Sequence, residues 1–466
     1  MKTESIDVIF TTVPWVERAE FVSAAPALLI AMIEKFGYTG LFYDFNVDIW
    51  QDTNLIDFAT STEVDSPEYS KYLNNLLKIH ITKILDYNPK FIGLSVFSWH
   101  SRNALTTMCS IIREMSPKVK IILGGQGLGD DILVELPQLK EDNLYDYIVY
   151  GDGEYAIVDI LKGTYGNKEN RTFLDYSELN ELPFPNYSSY DWNKYAKIIP
   201  ITGSKGCVRN CTFCDINSLW KKFIWRDGKN IVAEMVHQYN KHNINRFEFT
   251  DSLINGSMKS YVDFITTLAE YNKHNNPLSW GGQFIIRPKR QMPEDIWKLT
   301  AESGSRKLVI GIESGSERIR DHMRKKFSNE DIEFGLKCMK KYGIKCKFLM
   351  LVGYVIETDE TIQETMDMFT KFKEYANNTI VDISFGPTLV ITPGTPLFDE
   401  GIAEKENVQL GDQYWNWRGN NTFIQRAEWR DRLINHCKDL GYNVTHLKAH
   451  DLLIEKRKAL LEKSFV

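Results

Sequence analysis

Gly206-Cys207-Val208-Arg209-Asn210-Cys211-Thr212-Phe213-Cys214 sets three cysteines at the spacing C-x3-C-x2-C. Three thiolates on one short loop can ligate three irons of a cuboidal [4Fe–4S] cluster, which ordinarily takes four. The other cysteines, Cys109, Cys338, Cys346 and Cys437, are scattered singly, so no fourth thiolate lies nearby in the sequence. A cluster held at three corners keeps one iron open, as chemistry at the cluster requires and electron transport alone does not. Two other readings compete for the same residues. A structural zinc ion takes four ligands, and His237 and His242 stand more than twenty residues away on an expected helix. A disulfide with a spare thiol belongs in an oxidising compartment.

Downstream, the chain reads as a βα series. The runs Ile199–Gly203, Arg246–Thr250, Leu278–Ile285, Lys307–Ile312, Lys345–Val352 and Val381–Thr388 predict strands, with helices near 229–242, 257–274, 293–303, 328–342 and 358–376. Six such units over residues 195–395 predict a partial (β/α)6 barrel. The cysteine loop follows the first strand, at the carboxyl end where barrels of this kind keep their chemistry. Beyond Pro396 the pattern weakens, and residues 396–466 predict a small helical appendage. It contains Trp415, Trp417 and Trp429, of which Trp415 and Trp417 either line a substrate pocket or anchor the tail to the core.

Upstream, residues 1–165 alternate the strands Ile6–Thr12, Gly40–Asp44, Phe91–Phe97, Val119–Leu123 and Tyr147–Tyr150 with the helices Ala24–Phe36, Tyr69–Tyr87 and Arg102–Met115. Phe91–Phe97 is almost continuously apolar, as in a parallel strand buried on both faces. The alternation predicts a doubly wound, Rossmann-like α/β domain. Its ligand crevice falls on Thr12–Val16, Ser95–His100, Gly124–Gly129 and Gly151–Glu154, whose glycines let a broad flat ligand approach the backbone. No G-x-G-x-x-G follows the first strand, and Gly-Gly-Gln-Gly-Leu-Gly at 124–129 has a different spacing, which disfavours a nicotinamide cofactor. Residues 166–194, with the stretch ELNELPFPNYSSYDW, have no helical period and read as a linker.

The length of 466 residues suits two or three domains. A net charge of −6 gives no basic field for nucleic acid. The runs Arg324-Lys325-Lys326 and Lys340-Lys341 read as solvated helix faces. MKTESIDVIFTTVPW reads as a first strand and not a signal peptide, and no run of eighteen apolar residues predicts a membrane span. Seven cysteines, an odd number with three clustered, fit a reducing cytoplasm. The four lone thiols read as buried structural residues.

On these residues the chain resembles the radical S-adenosylmethionine (SAM) superfamily. Besides Cys207, Cys211 and Cys214, the resemblance rests on three segments: Ile310–Ser316, Gly343-Ile344 through Gly353 with Glu357-Thr358, and Thr392-Pro393-Gly394-Thr395-Pro396. Residues 1–165 are similar to the cobalamin-binding domain that precedes the barrel in one branch of that superfamily, on Ile92–Val96, Ile122–Gly125 and Gly151–Glu154. The chain departs from the D-x-H-x-x-G motif by which some cobalamin proteins ligate cobalt. Trp99-His100 has another spacing, so axial ligation stays open.

The resemblance implies a [4Fe–4S] cluster, SAM and cobalamin as cofactors, with the open iron chelating SAM and one electron splitting it into methionine and a 5′-deoxyadenosyl radical. It implies an electron donor of flavodoxin or ferredoxin type and, most often in this branch, methyl transfer to an unactivated carbon of a small molecule or peptide. Three alternatives accompany it. One is a cobalamin-using cyclase or rearranging enzyme without methyl transfer. Another is a methylthiotransferase-like enzyme, disfavoured because only Cys109 precedes the motif. The last is a non-catalytic cobalamin or iron–sulfur sensor.

Residue by residue, the resemblance implies that Cys207, Cys211 and Cys214 ligate the cluster. Phe213 flanks adenine or shields the cluster. Asp251 and Ser252 accept from the SAM amino group or cap a helix. Gln283 and Arg287 leave the third strand, and Arg287 pairs the SAM carboxylate or forms a structural ion pair. Glu313 bonds ribose hydroxyls, and Glu357 caps the 358–376 helix. Ser95, Trp99, His100, Gly124, Gly125, Gln126, Gly151, Gly153 and Glu154 line the corrin crevice. A packed, hydrogen-bonded histidine is the other reading of His100.

Overall fold

The computed structural model describes residues 5–14, 21–44, 46–47, 67–97, 101–406, 408 and 421–446. The chain divides into two compact units, residues 1–200 and 201–466.

The first unit is built on β1 (Val8–Thr12), β2 (Gly40–Tyr43), β3 (Phe91–Ser95), β4 (Lys120–Gly124), β5 (Tyr147–Gly151) and β6 (Glu169–Thr172). All pair in parallel, in the order β2-β1-β3-β4-β5-β6. The helices α1 (Ala24–Lys35), α2 (Pro67–Leu85), α3 (Arg102–Met115) and α4 (Glu154–Lys162) connect the strands. From β1 the chain steps outward to β2 and then returns to β3 on the other side. The strand order therefore reverses between β1 and β3, and a crevice opens beyond their carboxyl ends. Ile9, Ile92, Leu94, Ile121 and Leu123 pack with Leu77, Ile81 and Ile84 of α2 and Leu105, Met108 and Ile112 of α3.

Residues 166–194 are more than a linker. They contribute β6 and α5 (Tyr176–Glu181), a helix started by a capping box in which the Asp175 carboxylate accepts from the Glu178 N–H and the Glu178 carboxylate accepts from the Asp175 N–H. Further on, Tyr187, Tyr190, Trp192 and Tyr195 pack as an aromatic cluster that stacks on Phe42 of β2. The Tyr195 hydroxyl donates to Asp44 at 2.9 Å.

The second sheet runs from β7 (Ile199–Ile201) through β10 (Arg246–Phe249), β11 (Ser279–Phe284), β12 (Ser305–Glu313), β13 (Lys345–Val352) and β14 (Ile380–Thr388) to β15 (Val444–His446), with β8 (Ser204–Lys205) and β9 (Ile224–Trp225) forming a separate antiparallel pair. It is parallel from β10 through β15. Along β12 and β13, Leu308, Ile310, Ile312, Cys346, Phe348, Met350 and Val352 are buried. The alternate residues are half-buried and polar at several positions, with Lys347 on Asp382 at 2.7 Å. Period-two alternation puts these on the opposite face: one face packs under helices and the other is a half-solvated interior.

Outer helices include α7 (Gly228–His242), α8 (Met258–His274), α9 (Glu294–Glu302), α10 (Glu317–His322), α11 (Asn329–Tyr342) and α12 (Asp359–Lys371), after a one-turn α6 (Ile216–Leu219). Gly228 starts α7 against the backbone of α8, where any Cβ would collide with the Phe264 amide.

The appendage is helical, as expected, and ends in one added strand. After α13 (Pro396–Asp399) and α14 (Phe423–Asp439) the chain returns as β15, which pairs in parallel with β14 and adds a seventh strand. Trp429, Leu433 and Cys437 of α14 are buried, whereas Trp415 and Trp417 lie outside the described residues. Among the described residues no helix is long and apolar enough to cross a membrane.

Candidate functional site

The cysteine loop leaves the β7 end through a tight sequence of turns. Asp251, past the end of β10, accepts from the Gly203 N–H at 2.7 Å and the Ser204 hydroxyl at 2.6 Å, fixing the turn into β8. Gly206 then takes φ +79, with its α-carbon close to the Lys222 carbonyl, so a side chain there would break the β8–β9 pair. Cys207, Cys211 and Cys214 follow, all half-buried, and the Cys207 sulfur accepts from the Arg209 N–H at 3.4 Å. Thr212, between the ligands, is pinned from three directions. Its N–H donates to the Met323 carbonyl at 3.2 Å, its carbonyl accepts from the Leu397 N–H at 2.7 Å, and its hydroxyl bonds the Tyr354 hydroxyl at 2.6 Å. Tyr354 bonds His322 Nδ1 at 2.8 Å. Phe213 packs against the core patch of Ile319, Met323, Tyr354 and Leu397.

Beside the loop stands a buried ion pair. Lys325 Nζ donates to Glu313 at 3.0 Å, with the two side chains 9% and 13% exposed. Nζ lies 5.8 Å from the centre of the Phe213 ring. The run Arg324-Lys325-Lys326 is thus not a solvated helix face: Lys325 is buried and only Lys326 is fully exposed. Glu313, expected on ribose, has one carboxylate oxygen committed to Lys325. Burial raises all three thiols above the ordinary cysteine range, and Lys325 opposes this at each of them.

Other expected residues have partners of their own. Asp251 caps no helix; Ser257 caps α8. Burial pushes Asp251 up to about 7 despite its two donors. Among the described residues Arg287 has no ion-pair partner: its guanidinium donates to the Asn255 and Gly256 carbonyls and to Gln291, and burial beside Arg209 brings it down to about 10. Ser252 is half-buried and Gln283 is exposed at the β11 end. Glu357 does not cap the following helix, which Thr358 caps. Its carboxylate instead accepts from the Gly353 and Tyr354 N–H groups, and burial pushes it up to about 7.

In the first unit, Ser95, Gly124, Gly125 and Gln126 lie together at the ends of β3 and β4. Gly125 at φ +107 is drawn against the Val96 carbonyl, the α-carbon of Gly124 faces open space, Gln126 is exposed and Phe97 is 66% exposed. Gly151 ends β5, the next strand of the sheet, and Gly153 and Glu154 follow it. Gly151 pairs with Thr172 of β6 and is glycine because a Cβ would strike the Thr172 carbonyl, while Glu154 is buried. Trp99 and His100 lie outside the described residues.

Sequence reasoning passed over Arg209, His322, Lys325 and Tyr354. Lys325 was hidden in a charge run, and Tyr354 carried no signal beyond its place after a glycine at a strand end.

The donor set fits a three-cornered cluster. Three free thiols share one loop, and the other described cysteines are buried singly elsewhere. Among the described residues no three His, Cys, Asp or Glu side chains converge on a point for one metal ion. The open glycine ledge and exposed phenyl at the β3 and β4 ends likewise fit a broad planar ligand at the strand-order reversal.

The Radical SAM superfamily profile matches residues 201–369. An uncharacterized methyltransferase of Pyrococcus horikoshii is 22% identical over 367 residues, covering 73% of this chain and 75% of the relative. The structure of the radical SAM methyltransferase TsrM from Kitasatospora setae, with tryptophan substrate and aza-SAM bound, superposes with a TM-score of 0.66 at 15% identity, over 94% of this chain and 89% of that one. The cobalamin-dependent SAM radical enzyme OxsB, with aqua-cobalamin and SAM bound, gives a TM-score of 0.62 at 14% identity, over 92% of this chain and 56% of that one. At such identities the likeness to the solved structures establishes the fold.

Proposed function

We propose that this chain, whose residues 201–369 match the Radical SAM superfamily profile, is a cobalamin-dependent radical SAM enzyme that methylates an unactivated carbon of a small molecule or peptide. The observation that carries the reading is the Cys207–Cys214 loop, with three half-buried thiols at the carboxyl end of a parallel barrel sheet and no other cysteine beside it. When bound, the cluster supplies the electron that cleaves SAM, and cobalamin supplies the methyl group.

The protein's part follows from its side chains. Cys207, Cys211 and Cys214 hold the irons, and the three bonds to Thr212 fix the loop that presents them. Phe213 closes the loop on its apolar side. Asp251 orients the loop from behind, while Ser252, Gln283 and the second oxygen of Glu313 are available to SAM. Ser95, Gly124, Gly125 and Gln126, with Phe97, carry the corrin. The half-solvated interior face of the barrel, with Lys347 and Asp382, holds the substrate. A flavodoxin- or ferredoxin-type donor in a reducing cytoplasm supplies the electron.

Anaerobic reconstitution with iron, sulfide and hydroxocobalamin, followed by desalting and metal analysis, tests the reading. About four irons and one cobalt per chain are expected, with release of 5′-deoxyadenosine from SAM under reduction. Iron without retained cobalt overturns the cobalamin half. A fully loaded, reduced protein that leaves SAM intact overturns the enzyme itself.

A further inference from the structure

We propose that Lys325 is a positioning cation that raises the reduction potential of the cluster held by Cys207, Cys211 and Cys214, and that Glu313 trims its effect. The inference rests on the cluster reading above and concerns this chain's own charges. Lys325 is buried, held by Glu313 at 3.0 Å, with its Nζ 5.8 Å from the Phe213 ring that lies between two of the cluster ligands and 6.0 Å from the Phe327 ring.

The backbone is bent to put it there. Arg324 and Lys326, on either side, adopt φ +62 and +59, and Glu313 adopts φ +66. Side-chain-bearing residues seldom take this left-handed region unless their surroundings impose it. Those surroundings are visible. Arg324 pairs with Glu400, the Lys325 N–H donates to the Arg320 carbonyl, and the Met323 carbonyl accepts from Thr212 of the cysteine loop. One short strained segment is thereby bonded to the cysteine loop and carries a buried ammonium beside Phe213 of that loop.

The pair stands beside the loop: Lys325 Nζ approaches the Phe213 ring between Cys211 and Cys214 at 5.8 Å, and Glu313 holds the same ammonium at 3.0 Å. Reduction adds an electron to a group already negative from three thiolates, so a fixed cation in a poorly solvated site favours the reduced form over the oxidised one. The carboxylate acts in the opposite sense.

The test is an EPR-monitored redox titration of the reconstituted full chain, without SAM or substrate, on wild type, Lys325→Met, Lys325→Arg and Glu313→Gln. Lys325→Met is expected to disfavour reduction by about tenfold, a shift of ~59 mV to more negative potential for one electron. Glu313→Gln is expected to shift the midpoint the other way, and Lys325→Arg to stay near wild type. A purely structural pair would lower iron content or stability without giving shifts of opposite sign. Equal midpoints in all four proteins at full iron load overturn the proposal. If Lys325→Met holds no iron, Glu313→Gln carries the test, and the absence of an upward shift overturns it. Failure of the cluster reading would appear separately, as a wild type that binds no iron.

Discussion

Glu357 is buried and accepts two backbone N–H bonds, yet burial still outweighs them and pushes its carboxyl from an ordinary 4.5 up to about 7. A carboxyl raised in the folded state binds its proton more tightly there than in the unfolded chain. Its contribution to stability is full below about pH 4.5 and declines as pH rises to about 7. Asp251 has the same sign, from 3.8 up to about 7. Glu357→Gln keeps an acceptor for Gly353 and Tyr354 and removes the ionisation. Urea unfolding should show a flatter pH dependence between pH 5 and 8, with the variant more stable at pH 8 by on the order of 2 kcal/mol; an unchanged slope would refute it. Both carboxylates were singled out in the sequence, Asp251 at a strand end and Glu357 as a helix cap, but their roles were not legible. A carboxylate that serves a ligand and one that ties a turn look alike until the donors are placed. Lys325 was illegible for a related reason: a charge run averages to a solvated surface, and only the left-handed residues on either side turn its middle member inward.

The cysteine loop is held by elements far from it in sequence: the segment after α10, the turn after β13 and the start of α13 all bond Thr212. Three of the segments that carried the resemblance, those of Glu313, Gly353 and Pro393–Pro396, thus gather around or brace one loop. Tyr354→Phe deletes the hydroxyl shared by Thr212 and His322. It should cost about 1–3 kcal/mol in urea unfolding and speed iron loss to a chelator, whereas a Phe variant with wild-type iron loss would show that the backbone bonds alone hold the loop. Gly228→Ala tests packing between elements. With the Phe264 amide against that α-carbon, it should destabilise by about 1–3 kcal/mol through overpacking, and unchanged unfolding would mean that α7 can move aside. The buried parallel strands of both sheets were legible to within a residue or two because they are apolar runs. β6, α5 and β15 were not. β6 reads Glu-Asn-Arg-Thr and β15 reads Val-Thr-His, and both are strands at sheet edges because β5 and β14 offer them hydrogen bonds. Composition registers burial and does not register pairing.

At the scale of the whole molecule, the C-terminal segment braces the candidate site in the second unit. Asn421 Nδ2 donates to the Tyr354 carbonyl at 2.8 Å, Arg426 packs against Gly353, and Trp429 is fully buried with its indole N–H on Asp359 at the start of α12. β15 then pairs with Ile383–Phe385 in the middle of β14. A tail that only covered a pocket would be dispensable for cluster retention; one that braces the Tyr354 turn would not. Asn421→Ala leaves a buried carbonyl without its donor, for an expected loss of about 1–3 kcal/mol. Trp429→Ala empties a large core site and should cost about 3–5 kcal/mol. The distinguishing measurement is the rate of iron loss to a chelator from the reconstituted full chain under conditions where each variant remains folded. Asn421→Ala should accelerate iron loss more than its milder destabilisation predicts relative to Trp429→Ala, because it acts on the Tyr354 turn directly. Rates that simply follow the two unfolding free energies would mean that the tail stabilises the barrel without gripping the cysteine loop.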